Sequence, residues 1–430
     1  MFQNLWAKAE TGFLLSAQKI NLNNLFFSLI LFFPTQLGLH FWPQFAKVEG
    51  VRIDYLSPTL YVTDLLILFL FLSWVISQKK FSIFNFLASR RSGQFLIKSK
   101  FQIILAAFII IGIIFSKSLG AGLYGLLKFL EFIFLGFYVS NIKNLKLRNI
   151  LFLLSLGIIF ESFLALSQYL NQGSLGGLFY FFGERMFNPQ TPGIANASIN
   201  GQLILRPYGT FPHPNVLAGY LVIVMTLIIF NCKKILYSLT LLIGTVALFL
   251  TLSRVAIILW VLILGFFLIR KFIILALVSL LLFVLITPLG LRFTGMRLTD
   301  ESIVIREELA KSSLLMIKKS PLLGVGINNF LVNLPNTQKS NNSSLVIQPV
   351  HNIFLLVLSE TGIVGFYFFV WFLIKTYQNI RFGKNYLIIY PLSLILILGM
   401  FDHYFLTLQQ GQLLFSFILG LCWSKKSHLG

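Results

Sequence analysis

Long apolar runs, broken by short basic clusters or polar loops, recur along this chain from residue 25 to residue 423. A membrane-spanning helix needs roughly 20 mostly apolar residues. By that measure the runs predict about twelve transmembrane helices, at 25–41, 59–77, 101–116, 118–139, 150–170, 215–231, 235–252, 255–269, 272–288, 351–374, 386–401 and 408–423. The expected fold is all-α and polytopic. Ahead of the first run, Phe2, Leu5, Trp6, Ala9, Phe13 and Ala17 recur at helical spacing, which fits an interfacial helix or a frayed tail. The first run is long and no small-residue cleavage site follows it, so no cleavable signal is expected.

Two connections are much longer than the rest, 171–214 and 289–350. Long irregular segments in compact domains are usually functional. The first is rich in Gly, Pro and Asn. The second contains a predicted surface helix at about 302–318, ended by Pro321 and the turn Gly324-Val325-Gly326, and then an Asn/Ser-rich stretch, Asn336 to Ser344, that reads as a flap.

Charge orients this pattern. Of 430 residues 57% are hydrophobic and 11% charged, whereas soluble domains carry about 25% charged residues. The net charge is +21, which alone would suggest nucleic acid. The positive-inside rule explains its distribution instead. With the N-terminus inside, the inner segments hold 20 of the 34 bases and a single acid, Glu10, while the outer ones hold 13 bases and eight acids. Both termini are expected on the cytoplasmic side of a multi-pass membrane protein, with no nucleic-acid partner. Cys232 and Cys422 both fall at predicted inner helix ends, so neither a disulfide framework nor a cysteine–histidine metal site is expected.

Few groups in so apolar a chain can do chemistry, and a titratable residue at membrane depth is costly enough to suggest function. Asp64, Glu131, Glu161 and Glu360 lie in or beside the spans. Lys128 and Glu131, three apart on one helix, read as a neutralising pair. Glu161 has no sequence-local partner. Glu360 follows His351 by nine residues, half a turn round the helix, so it reads as an anchor for a neighbouring helix or a group orienting a base from elsewhere.

On the outer side, Arg206 precedes Pro207-Tyr208-Gly209-Thr210-Phe211-Pro212-His213-Pro214-Asn215, which opens a helix whose first amides would favour an anion. Arg254 sits at an outer turn, where snorkelling to lipid headgroups is the plain alternative. Arg306 lies on the surface helix, where a solvated charge is the plain alternative. Together the three are candidates to converge on a diphosphate, which the guanidinium fork matches. His351, at the outer start of a helix beside the long loop, is the best candidate base, with helix capping as its structural alternative. His213 and the Asp402-His403 pair compete with it. No acid-x-acid metal motif occurs in the outer loops, and the adjacent pairs Asp300-Glu301 and Glu307-Glu308 are weak cation signals.

In this order the motifs resemble the O-antigen ligase/polymerase (Wzy-type) superfamily of bacterial membrane glycosyltransferases. The matching elements are Arg206-x-x-Gly209-Thr210-Phe211-x-x-Pro214-Asn215, Ser253-Arg254, Arg306 with Lys319-Ser320-Pro321-Leu322-x-Gly324-x-Gly326, and His351-Asn352-x-x-Leu355 with Glu360-x-Gly362. They cover roughly 206–370, and the first 200 residues match only in hydropathy. The resemblance implies a GT-C-like membrane fold and transfer of a glycan from undecaprenyl diphosphate to an acceptor hydroxyl at the outer face of a bacterial cytoplasmic membrane. The partners it implies are the lipid-linked donor, a glycan, lipid or protein acceptor, and membrane lipids. It further implies inverting chemistry without metal or other cofactor, with His351 helping to activate the acceptor and Arg206 and Arg254 on the diphosphate. Arg306 is an added candidate there, and Asn215, Asn352 and Glu360 are candidate supporting residues. The role of Asp402 and His403 stays open, as does ligase versus polymerase. The expected division is an N-terminal helical part at 1–200, a core at 201–375 that includes the outer loop, and a C-terminal helix pair at 376–430. A transporter or flippase of lipid-linked oligosaccharide and a membrane scaffold are the competing readings. A transporter needs a polar through-path and often repeated halves, and neither is evident.

Overall fold

Away from water a backbone has to satisfy its own N–H and C=O groups, so the apolar runs fold as helices. The computed structural model describes residues 22–77, 99–142, 146–199, 202–231, 235–268, 301–338, 346–382 and 386–424. The helices are α1 (Leu22–Leu31), α2 (Val62–Ser77), α3 (Ser99–Ile114), α4 (Leu119–Asn141), α5 (Leu147–Asn171), α6 (Pro214–Asn231), α7 (Ile235–Leu250), α8 (Arg254–Leu268), α9 (Glu301–Lys319), α10 (Ile353–Phe382), α11 (Ile389–Gly399) and α12 (Gln409–Trp423). Among the described residues four are long and apolar enough to cross a membrane: α4, α5, α6 and α10 as far as Ile380. Helices α1, α2, α7, α8 and α11 are shorter apolar helices. The chain is thus a mainly helical membrane protein. The predicted interfacial helix at 2–17 and the predicted span at 272–288 lie outside the described residues, as does most of the Asn336–Ser344 stretch.

One apolar run folds differently from its prediction. The expected span 25–41 is helical only to Leu31, after which the chain turns through Pro34 and runs as a strand, β1 (Gly38–His40). Proline cannot donate the hydrogen bond that would continue a helix. Strand β1 pairs antiparallel with β4 (Thr59–Tyr61), with Leu39 opposite Leu60. Between them, β2 (Lys47–Val48) and β3 (Val51–Arg52) form a tight hairpin. Its central residues Glu49 and Gly50 both have positive φ (48° and 80°), as a primed turn requires. A third small ribbon joins β5 (Asn196–Ile199) to β6 (Gln202–Leu205).

Helix α6 is the axis of the core. Of its spanning window 83% is buried, against 22% for α10, so α6 is wrapped by protein while α10 presents an exposed apolar side through Ile363, Tyr367 and Ile374. Leu217, Leu221, Val224, Met225 and Ile228 are buried along α6 within one large apolar cluster. Lys128 shows how a charge is tolerated inside such a bundle. Its Nζ contacts Asp64 Oδ2 at 2.8 Å, Glu131 Oε2 at 3.1 Å and Gln409 Oε1 at 3.0 Å. The expected Lys128–Glu131 pairing is present, and Asp64 and Gln409 extend it into a knot binding α2, α4 and α12. Gln409 Nε2 in turn donates to Asp64 and to Glu131 Oε1.

Helix α10 is kinked where Gly362 takes φ 62°, ψ −171°. The kink frees the carbonyls of Ser359 and Glu360, which accept from the amides of Val325 and Gly326, both at 2.9 Å. The amide of Ile363 donates instead to the carbonyl of Pro321 at 2.8 Å. A Cβ at Gly362 would collide with the backbone of Leu322, and one at Gly324 with that of Glu360. Glycines distant in sequence thus let the segment after α9 latch into the kink. Glu360 completes the latch by accepting from the amide of Phe330 at 3.2 Å. It is the anchor anticipated above and does not pair with His351.

Candidate functional site

The turn between α11 and α12, residues 400–403, gathers side chains from four other parts of the chain. Two buried groups on one face of α5 prepare it by shaping the segment before α6. Glu161 accepts from Thr210 through its amide (2.9 Å) and its hydroxyl (2.7 Å). Gln168 accepts from the amides of Tyr208 (2.9 Å) and Gly209 (2.8 Å) and donates to the carbonyl of Gly209 (3.0 Å). Gly209 has φ 60°, and a Cβ there would strike the Glu161 carboxylate. The Gly209-Thr210 pair is therefore fixed by α5, and Glu161 has its partner.

So held, the segment delivers Arg206 and Asn215. Arg206 is 7% exposed. Its Nε donates to the carbonyl of Thr251 and its Nη2 to Asn215 Oδ1, each at 2.7 Å. Asn215 Nδ2 passes the connection to Asp402 Oδ2 at 3.2 Å. The other carboxylate oxygen of Asp402 lies 3.4 Å from His351 Nδ1 and 3.9 Å from His403 Nε2. The rings of His351 and His403 are 5.1 Å apart. At 3.4 Å the His351–Asp402 contact is an ion-pair separation, longer than a close hydrogen bond.

The neighbours hold the same turn. Arg306 Nη1 donates to the carbonyl of Phe401 at 3.0 Å, so it reaches the site rather than only solvent. Asn352 Nδ2 donates to the carbonyl of Met400 at 3.1 Å. Its Oδ1 accepts from the amides of Phe354 (2.9 Å) and Leu355 (3.0 Å). Asn352 therefore caps α10, which leaves the preceding His351 side chain available to the turn. Arg254 opens α8 three residues beyond Thr251, whose carbonyl Arg206 grips. The structure brings the backbone of that turn to Arg206.

Electrostatics separates the histidines. Burial, with the Arg206 charge nearby, pushes His213 down to about 3. Its Nδ1 accepts from the amide of Asn215 at 3.1 Å, so His213 is neutral, caps α6 and is no base near neutral pH. That also occupies one of the amides expected to favour an anion. Burial likewise pushes His403 down to about 3, and its Nδ1 lies 2.6 Å from Thr407 Oγ1. Burial alone would raise Asp402, but the contact with His351 holds it below the usual carboxylate range. Asp402 is ionised beside His351, an arrangement suited to orienting an imidazole and stabilising its charged form.

His351, Asp402 and His403 also offer three ligand atoms within 4.8 Å of one another. Two imidazoles and a carboxylate are a donor set for a divalent cation, so the expectation of metal-free chemistry competes with a geometry able to hold one. Asp402, left open from the sequence, stands at the centre of either arrangement. The available signal was a carboxylate next to a histidine in a turn between two apolar helices.

A cavity of about 710 Å³ adjoins the cluster. Tyr55 and Thr407 line it and both touch His403, the Tyr55 ring at 5.3 Å centroid to centroid. Phe108, Phe132, Phe369, Phe372 and Phe415 give much of its wall an apolar surface, interrupted by Lys128, Gln409 and Gln410. Of the candidate residues, Glu360 lines it, whereas His351, Arg206, Arg254, Arg306, Asn215 and Asn352 do not, nor do Asp402 and His403.

Residues 239–370 match the family model described as O-antigen ligase. The match contains Arg254, Arg306, His351, Asn352, Glu360 and the kink at Gly362, and it leaves out Arg206, Asn215 and Asp402. No curated protein matches the chain.

Proposed function

We propose that this chain, which belongs to the O-antigen ligase/polymerase superfamily, transfers a glycan from a polyprenyl-diphosphate carrier to an acceptor hydroxyl at the extracytoplasmic face of a bacterial membrane. The observation that carries this reading is the His351–Asp402 pair, next to His403, whose neighbours Tyr55 and Thr407 line a largely apolar cavity. Transfer to a hydroxyl requires a base near the acceptor, and the ionised Asp402 orients His351 and stabilises the imidazolium that forms. The glycosyl–phosphate bond breaks toward phosphate, whose growing charge is stabilised best by fixed cations in a poorly hydrated place. In this reading Arg306, bonded to the carbonyl of Phe401, and Arg206, joined to Asp402 through Asn215, supply those cations, with Arg254 as a further candidate. The cavity suits the isoprenoid chain.

The test uses purified protein in nanodiscs with undecaprenyl-diphosphate glycan and acceptor, with and without chelator. Product from wild type and none from His351→Ala is expected. Equal product from both would remove His351 from its role. Activity that survives the chelator is the outcome expected of the His351 base, and activity lost with it and restored by a divalent cation would make His351, Asp402 and His403 a metal site instead. Movement of labelled donor across vesicles without covalent product would favour a flippase.

A further inference from the structure

Hydrogen bonds fix where the ring protons sit around Asp402. His403 Nδ1 lies 2.6 Å from Thr407 Oγ1, and that hydroxyl donates to the carbonyl of His403 at 3.2 Å. A hydroxyl has one proton to give, so Thr407 accepts from Nδ1–H. The lone pair of a neutral His403 is then on Nε2, 3.9 Å from Asp402 Oδ1. His351 Nδ1 lies 3.4 Å from the same oxygen, buried and without a hydrogen-bond partner among the described residues. On the far side of that ring, His351 Nε2 is 3.4 Å from Gln348 Oε1, an acceptor for the ring's proton. Two ring nitrogens and an anionic oxygen thus converge, one ligand atom from each residue and all within 4.8 Å of one another.

Tetrahedral Zn²⁺, with bonds of roughly 2.0–2.2 Å, holds its ligand atoms about 3.3–3.6 Å apart. The His351–Asp402 pair already has that separation, and His403 needs to close from 3.9 Å to about 3.4 Å. The ligands are held by outer bonds of the kind that orient metal sites. Thr407 fixes the His403 ring, while Asp402 accepts from the amide of His403 on Oδ1 (2.8 Å) and from Asn215 on Oδ2 (3.2 Å). The side chains of His351 and Asp402 are 18% and 13% exposed, so a dissolved ion reaches them. Two imidazoles with a single carboxylate select a transition metal over Mg²⁺ or Ca²⁺, which take mainly oxygen. Arg306, bonded to the carbonyl of Phe401, adds a repelling charge, so the metal exchanges rather than staying resident.

We propose that His351, Asp402 and His403 form a reversible site for Zn²⁺ or a similar transition-metal ion, and that the bound ion inhibits transfer. The inhibition rests on the transfer reading, whereas the binding rests on the geometry alone. In transfer, Nδ1–H of His351 faces Asp402 and Nε2 takes the acceptor's proton. A metal on Nδ1 claims the lone pair there, and the single proton of the neutral ring passes to Nε2, toward Gln348. His351 is then no base. The Asp402 charge that would stabilise its imidazolium is neutralised by the metal as well.

The experiment uses tag-free, full-length protein in phosphatidylcholine nanodiscs freed of metal. Calorimetry with Zn²⁺ should show one ion bound per chain, Co²⁺ should give visible absorption from the same site, and Mg²⁺ in large excess should not compete. His403→Asn keeps a donor for Thr407 and removes the Nε2 ligand, and Thr407→Val releases the ring. Each is expected to weaken Zn²⁺ binding by at least about tenfold, since losing an outer partner alone costs about 10–100-fold. In glycan transfer Zn²⁺ should inhibit wild type, with full recovery on adding chelator. The inhibiting concentration should rise by the same factor in both variants, each measured against its own metal-free rate. Zn²⁺ affinity equal in wild type and both variants overturns the site, as does equal competition by Mg²⁺. Transfer that continues undiminished with Zn²⁺ bound, or that needs Zn²⁺, overturns the inhibition. Zn²⁺ held at the cluster of a protein that forms no product with or without metal would sink the transfer reading alone, and product from a protein that binds no Zn²⁺ would sink this one alone.

Discussion

Replacing Asp402 with asparagine keeps the shape of the site and removes its central charge. The Asn215 contact at 3.2 Å can persist, since the asparagine oxygen still accepts. What disappears is the carboxylate 3.4 Å from His351 Nδ1. Two unit charges at that distance attract by about 5 kcal/mol at an effective dielectric of ~20 and by about 1 kcal/mol in bulk water. The two side chains are 18% and 13% exposed, so the pair lies between these limits, at about 2–3 kcal/mol. In the proposed transfer His351 carries the acceptor's proton in the transition state, so the loss falls there and on kcat rather than on donor affinity. Asp402→Asn is therefore expected to slow transfer roughly 30- to 150-fold at unchanged donor KM. The assay is the initial rate of glycan transfer by purified protein in nanodiscs, with thermal melting of both proteins as a check on folding. A variant that melts like wild type and transfers within about twofold of its rate would refute the pairing.

Other consequences follow from the same contacts. Arg206→Ala removes two short charge-assisted hydrogen bonds from a buried side chain and should cost about 3 kcal/mol of stability as well as activity, whereas Arg306→Ala, whose bond to Phe401 is exposed, should lower activity and leave melting within about 0.5 kcal/mol of wild type. Equal melting losses in the two would contradict the burial difference. Below its ordinary value of 6.5 the unfolded chain protonates His213 while the fold keeps it neutral down to about 3. This contribution is therefore complete above pH 6.5 and is lost as pH falls, at up to ~1.4 kcal/mol per pH unit. His213→Asn, which retains an acceptor for the Asn215 amide, should flatten the fall in melting temperature between pH 6.5 and 5, and an unaltered slope would rule the histidine out. Lys128→Met strands Asp64 and Glu131 together inside the bundle and should destabilise by about 3–5 kcal/mol. Adding Asp64→Asn and Glu131→Gln should restore most of the loss, which melting of the triple variant would check.

The helices were legible because a buried span repeats its apolar character through every turn, so the edges of α4, α5 and α6 fall within a few residues of the expected ones. The run after Leu31 was not, because residues 32–41 have the composition of a span while Pro34 and the pairing of Leu39 with Leu60 make it a turn and a strand. Pairing between residues some 20 apart leaves no mark on a hydropathy profile. The same limit applies to the kink. Gly324, Gly326 and Gly362 were visible as glycines, but their shared purpose, close approach between two backbones, exists only once α9 and α10 are packed.

For the candidate site, residue type drew attention to His351, Arg206 and Arg306, which the structure connects to the turn at 400–403 directly or through Asn215. Glu161 and Asp402 were seen as well, yet neither could be assigned, because their partners lie 49 and 187 residues away. This separation bears on how the matched domain relates to the proposed site. Residues 239–370 supply the imidazole, the Asn352 cap and two arginines. The carboxylate beside His351, and the Asn215–Arg206 connection that steadies it, come from beyond both ends of that stretch. The turn at 400–403 stays in reach because Arg306 and Asn352 hold the carbonyls of Phe401 and Met400. Those two bonds join the domain to the carboxylate it lacks, so the matched residues alone hold the His351 imidazole without the carboxylate beside it.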